Sequence, residues 1–218
     1  SGWKVIPVYT VKAGVNYNIN PNHNIYLNGG YISRAQRFAN VIDNSNRIIR
    51  AARNEEVMAA ELGYSGRYRF LSYNVNGYFT RWNNRPLDQV PTTQIDGETA
   101  VGVMSGISAN HMGVEIDVYA EPLKWMEVEG MFSIGNWLWD SKGTIKWYDE
   151  EGNELVQGGS ATITSYNAKG VHVGDAAQTQ ASLAVKFRPI KGLYAQVRWN
   201  HFSRYYSQFE PIDLNGSA

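Results

Sequence analysis

The chain alternates between apolar and polar residues over long stretches. From Ala177 to Arg188 the odd positions are mostly apolar and the even positions mostly polar, and the alternation resumes from Leu193 to Asn200 after the short segment 189–192. Successive side chains of a β-strand point to opposite faces of its sheet, so a period of two predicts two antiparallel strands joined by a tight turn. The alternation alone leaves open whether the apolar face packs on a protein core or meets lipid.

The same period recurs along the rest of the chain, where it marks six further segments. Together the segments predict an all-β fold, an antiparallel up-and-down meander of about eight long strands. The predicted strands are residues 10–19, 24–33, 57–65, 71–80, 111–120, 126–135, 177–188 and 193–200.

The connections between these strands alternate strictly in length. Connections longer than about 15 residues are uncommon in compact domains, whereas membrane barrels combine tight turns at one end with long loops at the other and strands of about ten residues. The pattern therefore favours an arc of a larger transmembrane β-barrel over a soluble β-sandwich or β-solenoid. Within the longest loop, residues 143–158 predict a small hairpin that turns at residues 151–153. The tight turns are residues 20–23, 67–70, 121–124 and 189–192, and the long loops are residues 34–53, 83–109 and 138–175.

Composition removes some classes of function. Lys and Arg number 20 and Asp and Glu also number 20, so the chain lacks the basic excess that marks nucleic-acid-binding proteins. Cysteine is absent, which excludes disulfides and thiolate metal sites. The mean hydropathy of −0.39 resembles that of a soluble protein, but half of each barrel strand faces a polar lumen and lowers this value. A soluble or surface-attached β-rich binding protein, for example a carbohydrate-binding one, stays an alternative, as does a self-contained porin-like barrel.

Few side chains suggest chemistry. The four histidines are scattered, and although His111, Glu115 and Asp117 share one strand face, hydration of a lumen explains them better than a metal site. Glu127 and Glu129 also share a face, about 6.5 to 7 Å apart along a strand, a separation that a glycosidase pair can have. Since neither a cleft nor an acid of raised pKa accompanies them, we predict no catalysis, no metal and no cofactor.

Candidate binding residues lie near the long loops. Segment 34–53 contains five arginines, among them Arg34 and Arg37, and one acidic residue. This composition suits lipopolysaccharide phosphates or an anionic ligand, and it equally suits a solvated loop. Aromatic residues at the long-loop ends of the strands suit an interfacial girdle, and the two on the lumen parity, Trp82 and Trp137, could also stack on a sugar or an aromatic ligand. The girdle candidates are Trp82, Trp137, Trp139, Tyr205 and Tyr206. The predicted ligand contacts are Trp82, Trp137, Trp139, Arg34 and Arg37.

Several longer stretches resemble the TonB-dependent receptors of the Bacteroidetes outer membrane. "AGVNYNINPNHNIYLNGGYISRAQRFANV" (13–41) and "NEEVMAAELGYSGRYRFLSYNVNGYFTRWNNRP" (54–86) are similar to barrel hairpins of these receptors. "HMGVEIDVYAEPLKWMEVEGMFSIGNWLW" (111–139) and "VGDAAQTQASL" (173–183) continue the likeness. The resemblance covers nearly the whole chain in order, and "VGDAAQT" and "GVEIDVYAEPLKW" are its most specific parts.

The resemblance implies an outer-membrane receptor that binds a scarce nutrient, such as a ferric siderophore, cobalamin or a glycan, and imports it with energy from the TonB complex. Barrels of this family have about 22 strands around a plug. Because no signal peptide, plug or terminal aromatic strand is found, residues 1–218 are expected to be an internal segment of the C-terminal half of the barrel domain.

The resemblance also implies partners. An arc of strands has two unpaired edges, so we expect the rest of the barrel or a neighbouring copy to complete them. The other expected partners are the TonB complex, reached through the plug, outer-membrane lipid and lipopolysaccharide, and a small-molecule or glycan ligand. No nucleic-acid partner and no enzymatic activity are expected.

Overall fold

The computed structural model describes residues 5–36, 53–85, 92–104, 107–149, 153–157 and 160–208. Within these residues the chain folds entirely into β-strands, and no helix long and apolar enough to cross a membrane occurs among them. The strands are β1 (Tyr9–Asn20), β2 (His23–Arg34), β3 (Glu55–Arg67), β4 (Leu71–Arg85), β5 (Thr92–Ile95), β6 (Glu98–Met104), β7 (Ile107–Leu123), β8 (Met126–Trp139), β9 (Lys142–Tyr148), β10 (Val156–Gln157), β11 (Ser160–Ala161), β12 (Ile163–Asn167), β13 (Ala177–Ile190) and β14 (Leu193–Tyr205).

Eight strands form one antiparallel sheet, in the order β1-β2-β3-β4-β7-β8-β13-β14. All eight predicted strands are therefore confirmed, as is the meander that joins them. The strands are longer than predicted because ladder pairs extend into the tight turns, as Asn20 with His23, and further into the predicted long loops, as Ala109 with Trp139. β1 and β14 do not pair with each other, so the described part of the sheet is an open arc.

In this sheet the apolar face is exposed, whereas in a soluble sheet the apolar face is buried. Side chains of the predicted apolar parity are exposed on all eight strands, and Val15, Phe79 and Val197 are 63%, 42% and 69% exposed. The other face carries polar side chains bonded to one another; Asn76 Nδ2, for example, donates to Glu61 Oε1 at 2.9 Å. We call the apolar face the outer face and the polar face the inner face.

The hydrophobic core lies at the long-loop end of the sheet. Loops 83–109 and 138–175 supply a second sheet, in the order β12-β9-β6-β5. Its central pair joins the two loops, since β6 of the first pairs with β9 of the second, as Val101 with Tyr148. We call this sheet and its core the cap. The buried core residues are Ala100, Ile107, Ala109, Trp139, Ile145, Trp147, Tyr166, Ala168 and Val173.

The hairpin predicted in the longest loop is confirmed next to its turn and is shorter than predicted. Asp149 N donates to Asn153 O at 2.9 Å, so the chain reverses where expected, although residues 150–152 lie outside the described residues. Tyr148 forms an antiparallel bridge with Glu154, and Leu155 N donates to Trp147 O at 2.9 Å. The rest of β9 pairs with β12, from Lys142 with Asn167 to Lys146 with Ile163. This pairing, together with that to β6, places the apolar side of β9 on the cap core.

Because β6 and β9 are paired and bury side chains in one core, we expect the cap to open as a single unit. Trp147 is 2% exposed and its indole donates to Thr164 Oγ1 at 2.8 Å. Trp147→Ala should destabilise a packed core by about 3 to 5 kcal/mol. Hydrogen exchange in the full-length protein should then become about a hundredfold faster or more in β5 and β6 as well as in β9 and β12.

The matched control for this experiment is Ile163→Ala, which truncates an apolar side chain on the same cap sheet. Ile163 is 51% exposed, so its truncation should leave the exchange rates nearly unchanged. If Trp147→Ala accelerated exchange only in β9 and β12, the two loops would open independently and the expectation would be wrong.

Candidate functional site

A β-bulge near the end of β4 shapes the inner face at the long-loop end. Trp82 pairs with Ala109 but Arg85 pairs with Ile107, so β4 has one residue more than β7 over this stretch. The extra residue is accommodated at Asn84, whose φ of 54° is a conformation that Asn adopts more readily than most residues. A bulge changes the face to which the following side chains point. It thereby turns Arg85 from the outer to the inner face.

Two arginines and two tryptophans meet as a result. Arg85 Cζ lies 5.4 Å from the ring centroids of both Trp82 and Trp139, and Arg34 Cζ lies 5.5 Å from that of Trp82. At these distances a guanidinium is attracted by the negative face of the indole ring. Arg34 is also held by Glu55, whose Oε2 lies 2.6 Å from Arg34 Nε. We call Arg34, Trp82, Arg85 and Trp139 the arginine–tryptophan cluster.

Further aromatic side chains extend this cluster across the inner face. The His111 ring centroid lies 6.2 Å from that of Trp82 and 5.4 Å from that of Trp137, and Trp137 Nε1 donates to the Tyr78 hydroxyl at 2.9 Å. The Tyr78 ring lies flat because the neighbouring residue is Gly113, where a Cβ would come within 2.6 Å of the hydroxyl. His111 Nδ1 is buried and has no hydrogen-bond partner among the described residues.

Gln178 fixes Trp137 from the other side. Its Oε1 accepts a hydrogen bond from Trp137 N and its Nε2 donates to Trp137 O, each at 3.1 Å. Nε2 also donates to Val173 O at 3.2 Å. The regular β8–β13 ladder ends at the pair Thr179 and Ile134, so the Gln178 amide supplies the partners that a further backbone pair would otherwise give. The side chain is 1% exposed, and it belongs to the "VGDAAQT" segment.

The structure brings three of the five predicted ligand contacts into one cluster, namely Arg34, Trp82 and Trp139. Trp137 lies next to them, with His111 between its ring and that of Trp82. Arg37 lies outside the described residues. Trp139 is 1% exposed within the cap core, so a ligand cannot reach it in this conformation.

The interfacial girdle is wrong for the three tryptophans. Trp82, Trp137 and Trp139 point to the inner face and pack in or against the cap core. Tyr205, which is 66% exposed on the outer face, agrees with the girdle. Tyr206 instead stacks on His172, with ring centroids 3.9 Å apart.

The paired glutamates of β8 are neutralised by neighbouring strands. Glu127 forms ion pairs with Lys186, at 3.6 Å, and with Arg188, while Glu129 pairs with Arg198 at 3.1 Å. A glycosidase pair needs both carboxyl groups free to reach the glycosidic bond, whereas here each one is engaged by a basic side chain of a neighbouring strand. The ion pairs therefore argue against a catalytic role for these two residues.

A concavity on the inner face lies elsewhere, near the tight turns. Its volume is about 1040 Å³, and its polar wall includes Asn74, Asp117, Ser182 and Arg198. This wall carries the same alternation as the rest of the inner face, and it is separate from the arginine–tryptophan cluster. Within the described residues, no group of three His, Cys, Asp or Glu side chains is placed to hold a metal.

The sequence reasoning missed Arg85 and Gln178. Strict alternation assigns Arg85 to the outer face, and only the dipeptide Asn83-Asn84 before it suggests a bulge, because Asn tolerates positive φ. Gln178 occupies an ordinary polar position of a strand, and no local signal distinguishes a side chain that completes a ladder from one that meets water.

The fold and the exposed outer face define the class of protein. An antiparallel sheet with a bare apolar outer face, a polar inner face and tight turns opposite long loops is the wall of a transmembrane β-barrel. A family model described as "TonB dependent receptor-like, beta-barrel" matches residues 7–217. The chain therefore belongs to the β-barrel family of TonB-dependent receptors, whose location is the bacterial outer membrane and whose members are receptors and transporters rather than enzymes. This overturns the soluble and porin-like alternatives, while the Bacteroidetes origin stays a prediction.

Among solved structures, the alcaligin outer membrane receptor FauA from Bordetella pertussis is similar to this chain. The two are 19% identical with a TM-score of 0.45, and the match covers 88% of this chain and 34% of that one. The chain thus spans about a third of the length of that receptor. No curated protein matches the chain.

Loss of the Gln178 amide should loosen the end of β8. Gln178→Leu leaves Trp137 N without the acceptor that Gln178 supplies, while Trp137 O keeps its hydrogen bond from Val173 N at 2.9 Å. The unpaired N–H should cost about 1 to 3 kcal/mol. In the full-length receptor, amide exchange should become faster at Trp137 and the residues beside it. Gln180→Leu is the matched control, because Gln180 is less buried and its Nε2 makes one bond, to Ala177 O at 3.1 Å. Equal effects of the two substitutions would contradict the special role of Gln178.

Proposed function

We propose that the receptor to which this arc belongs binds a nutrient on the inner face beneath the cap and imports it through the barrel with energy from the TonB complex. The proposal rests on one observation, the convergence of indole rings and guanidinium groups at the long-loop end of the inner face. A ligand arriving from outside the cell meets this end of the barrel wall first. The plug, the TonB contact and the remaining strands of the barrel belong to the proposal as well.

The chemistry of the cluster suits ligands with a flat face or negative charge. Indole and phenol rings stack on sugar or aromatic rings, and a guanidinium binds carboxylate or other anionic oxygens through paired N–H donors. Ferric siderophores, cobalamin and glycans all carry at least one of these groups. The cluster therefore supports ligand capture without selecting one of the three.

Ligand access couples to the cap. Trp82 is partly buried against the cap core and Trp139 lies inside it, so capture at these rings requires the cap to move away from the inner face. Trp137, Tyr78 and His111 form the adjacent surface. Binding energy gained at the rings can thus shift the cap between closed and open positions, which is the requirement for a ligand-driven change of state.

The experiment uses a strain that lacks the chromosomal receptor gene and expresses the full-length receptor. Growth is measured with a ferric siderophore, cobalamin or a glycan as the limiting nutrient, with and without TonB. We expect growth on one of the three to require both proteins. Failure of all three nutrients to depend on the receptor would contradict import.

The site is tested separately in the same strain, once the nutrient is known. Trp82→Ala combined with Arg85→Ala should reduce its uptake about tenfold or more, because two contacts worth about 1 kcal/mol or more each are lost. Trp199→Ala removes an indole that is 56% exposed on the outer face and should leave uptake unchanged. Normal uptake by the double variant at equal surface abundance would place the ligand elsewhere.

A further inference from the structure

The outer face changes character abruptly at the long-loop end. Phe79 and Met112 lie directly opposite each other on β4 and β7 and are 42% and 44% exposed. The next outward pair on the same face is Arg81 and Asn110. Charged side chains are costly on the lipid face of a barrel at the middle of the bilayer and nearly free of cost at its interface. The step from Phe79 to Arg81 therefore marks the edge of the hydrocarbon.

Arg81 is held at this edge by three side chains. Its Nε donates to Asn83 Oδ1 at 3.1 Å, and its Nη1 donates to Asn110 Oδ1 at 3.1 Å and to Asp140 Oδ2 at 3.0 Å. Its Nη2 makes no hydrogen bond with the described residues. Because three side chains fix the guanidinium, its free N–H groups have a defined direction and lose little entropy when they bind a further acceptor.

A second cation lies beside Arg81. Lys169 Nζ is 3.9 Å from Asp140 Oδ1, and its side chain is 67% exposed. The hydrogen bond from Arg81 lowers the pKa of Asp140, so this carboxylate is charged at neutral pH and shared between two cations. The three groups together carry one net positive charge. On the neighbouring strand β3, the outer face carries Glu56, opposite Asn83. Among the described residues Glu56 forms no ion pair with Arg81.

We propose that Arg81 and Lys169 bind a phosphate group of an outer-leaflet lipid whose acyl chains lie along Phe79 and Met112. An exposed ion pair in water contributes little to stability. The Arg81–Asp140 pair differs because it lies directly beside the apolar outer face, which lipid must cover. A phosphate at the interface is the anion expected at this depth, and a guanidinium and an ammonium are its usual ligands. Asp140 positions Arg81. The inference is independent of what the receptor transports.

The experiment measures lipid retained by the purified full-length receptor. Diphosphorylated lipid A, the anchor of lipopolysaccharide, is added in detergent with EDTA, so that divalent cations cannot bridge it to Asp140, and bound lipid is counted by native mass spectrometry. Arg81→Gln with Lys169→Gln should reduce its affinity about 25-fold, or about fivefold for each cation removed. Fully dephosphorylated lipid A should bind the wild-type receptor no better than it binds the double variant.

The matched control removes two cations from the inner face. Lys186→Gln with Arg198→Gln changes the net charge by the same amount on the opposite side of the same sheet, and it should leave lipid A binding unchanged. Lys169→Gln alone changes an exposed turn residue and should still cost about fivefold, which keeps the test valid if Arg81→Gln impairs folding. Folding of each variant is checked by the heat-dependent shift of the barrel in gel electrophoresis.

Three results would overturn the inference. The first is equal lipid A binding by wild-type and double-variant receptors. The second is equal loss in the inner-face control, which would indicate a general effect of charge. The third is release of lipid A by millimolar inorganic phosphate, which would indicate a site for a free anion rather than for a lipid headgroup.

Discussion

Contact of the outer face with lipid is the condition on which the rest of the structure depends. Each fully buried Val, Leu, Phe or Met side chain contributes about 1.5 to 3 kcal/mol in water, and a whole domain is stable by only about 5 to 15 kcal/mol. Large apolar side chains on eight strands are exposed here, so in water the sheet would forgo more than its total stability. In lipid this loss disappears. The backbone hydrogen bonds between strands then become the main stabilising interaction, because no water is present there to bond the same N–H and C=O groups.

The conventional core is consequently small and local. It lies in the cap, where two long loops must form their own sheet because water surrounds them on the outside. Trp147 and Ile145 of one loop and Ala100 of the other are buried together, and the β6–β9 pair fixes their register. The barrel wall and the cap are thus stabilised by different means, the first by lipid and hydrogen bonds, the second by apolar packing.

The parts of this fold that the sequence predicted are those fixed by local chemistry. Alternation assigned Leu183, Val185 and Phe187 to one face without knowledge of any partner strand. The four tight turns were predicted in the same way, from the short segments that interrupt the alternation. The pairing of Val101 with Tyr148 could not be predicted, because it joins residues of two separate loops and no periodic signal specifies the partner of a short strand. In the longest loop the turn and the first pairs of the hairpin were predicted because they are local, whereas the pairing of the rest of β9 with β12 was not.

The candidate site shows the same division more sharply. Trp82 and Trp137 were placed on the inner face by parity. Arg85, the side chain that joins the two rings of the cluster, fell in the predicted loop 83–109, and parity extended past Asn84 would fail by one residue because of the bulge. Trp139 was assigned to a girdle because it lies at a strand end. Whether an aromatic residue there meets lipid or a core depends on the loops above it, which the strand pattern does not describe.

The height of the cluster in the membrane follows from adjacent residues of β4. Phe79 points into the hydrocarbon, Arg81 marks its edge on the outer face, and Trp82, the next residue, points to the inner face at the same level. Because a strand rises about 3.3 Å per residue, Arg81 and Trp82 must lie at nearly the same height in the membrane. The indole of Trp82 therefore lies at the depth of the lipid headgroups, on the extracellular side of the part of the barrel that hydrocarbon surrounds. Lipid contact on one face of the strand thus sets the height of the proposed ligand contact on the other.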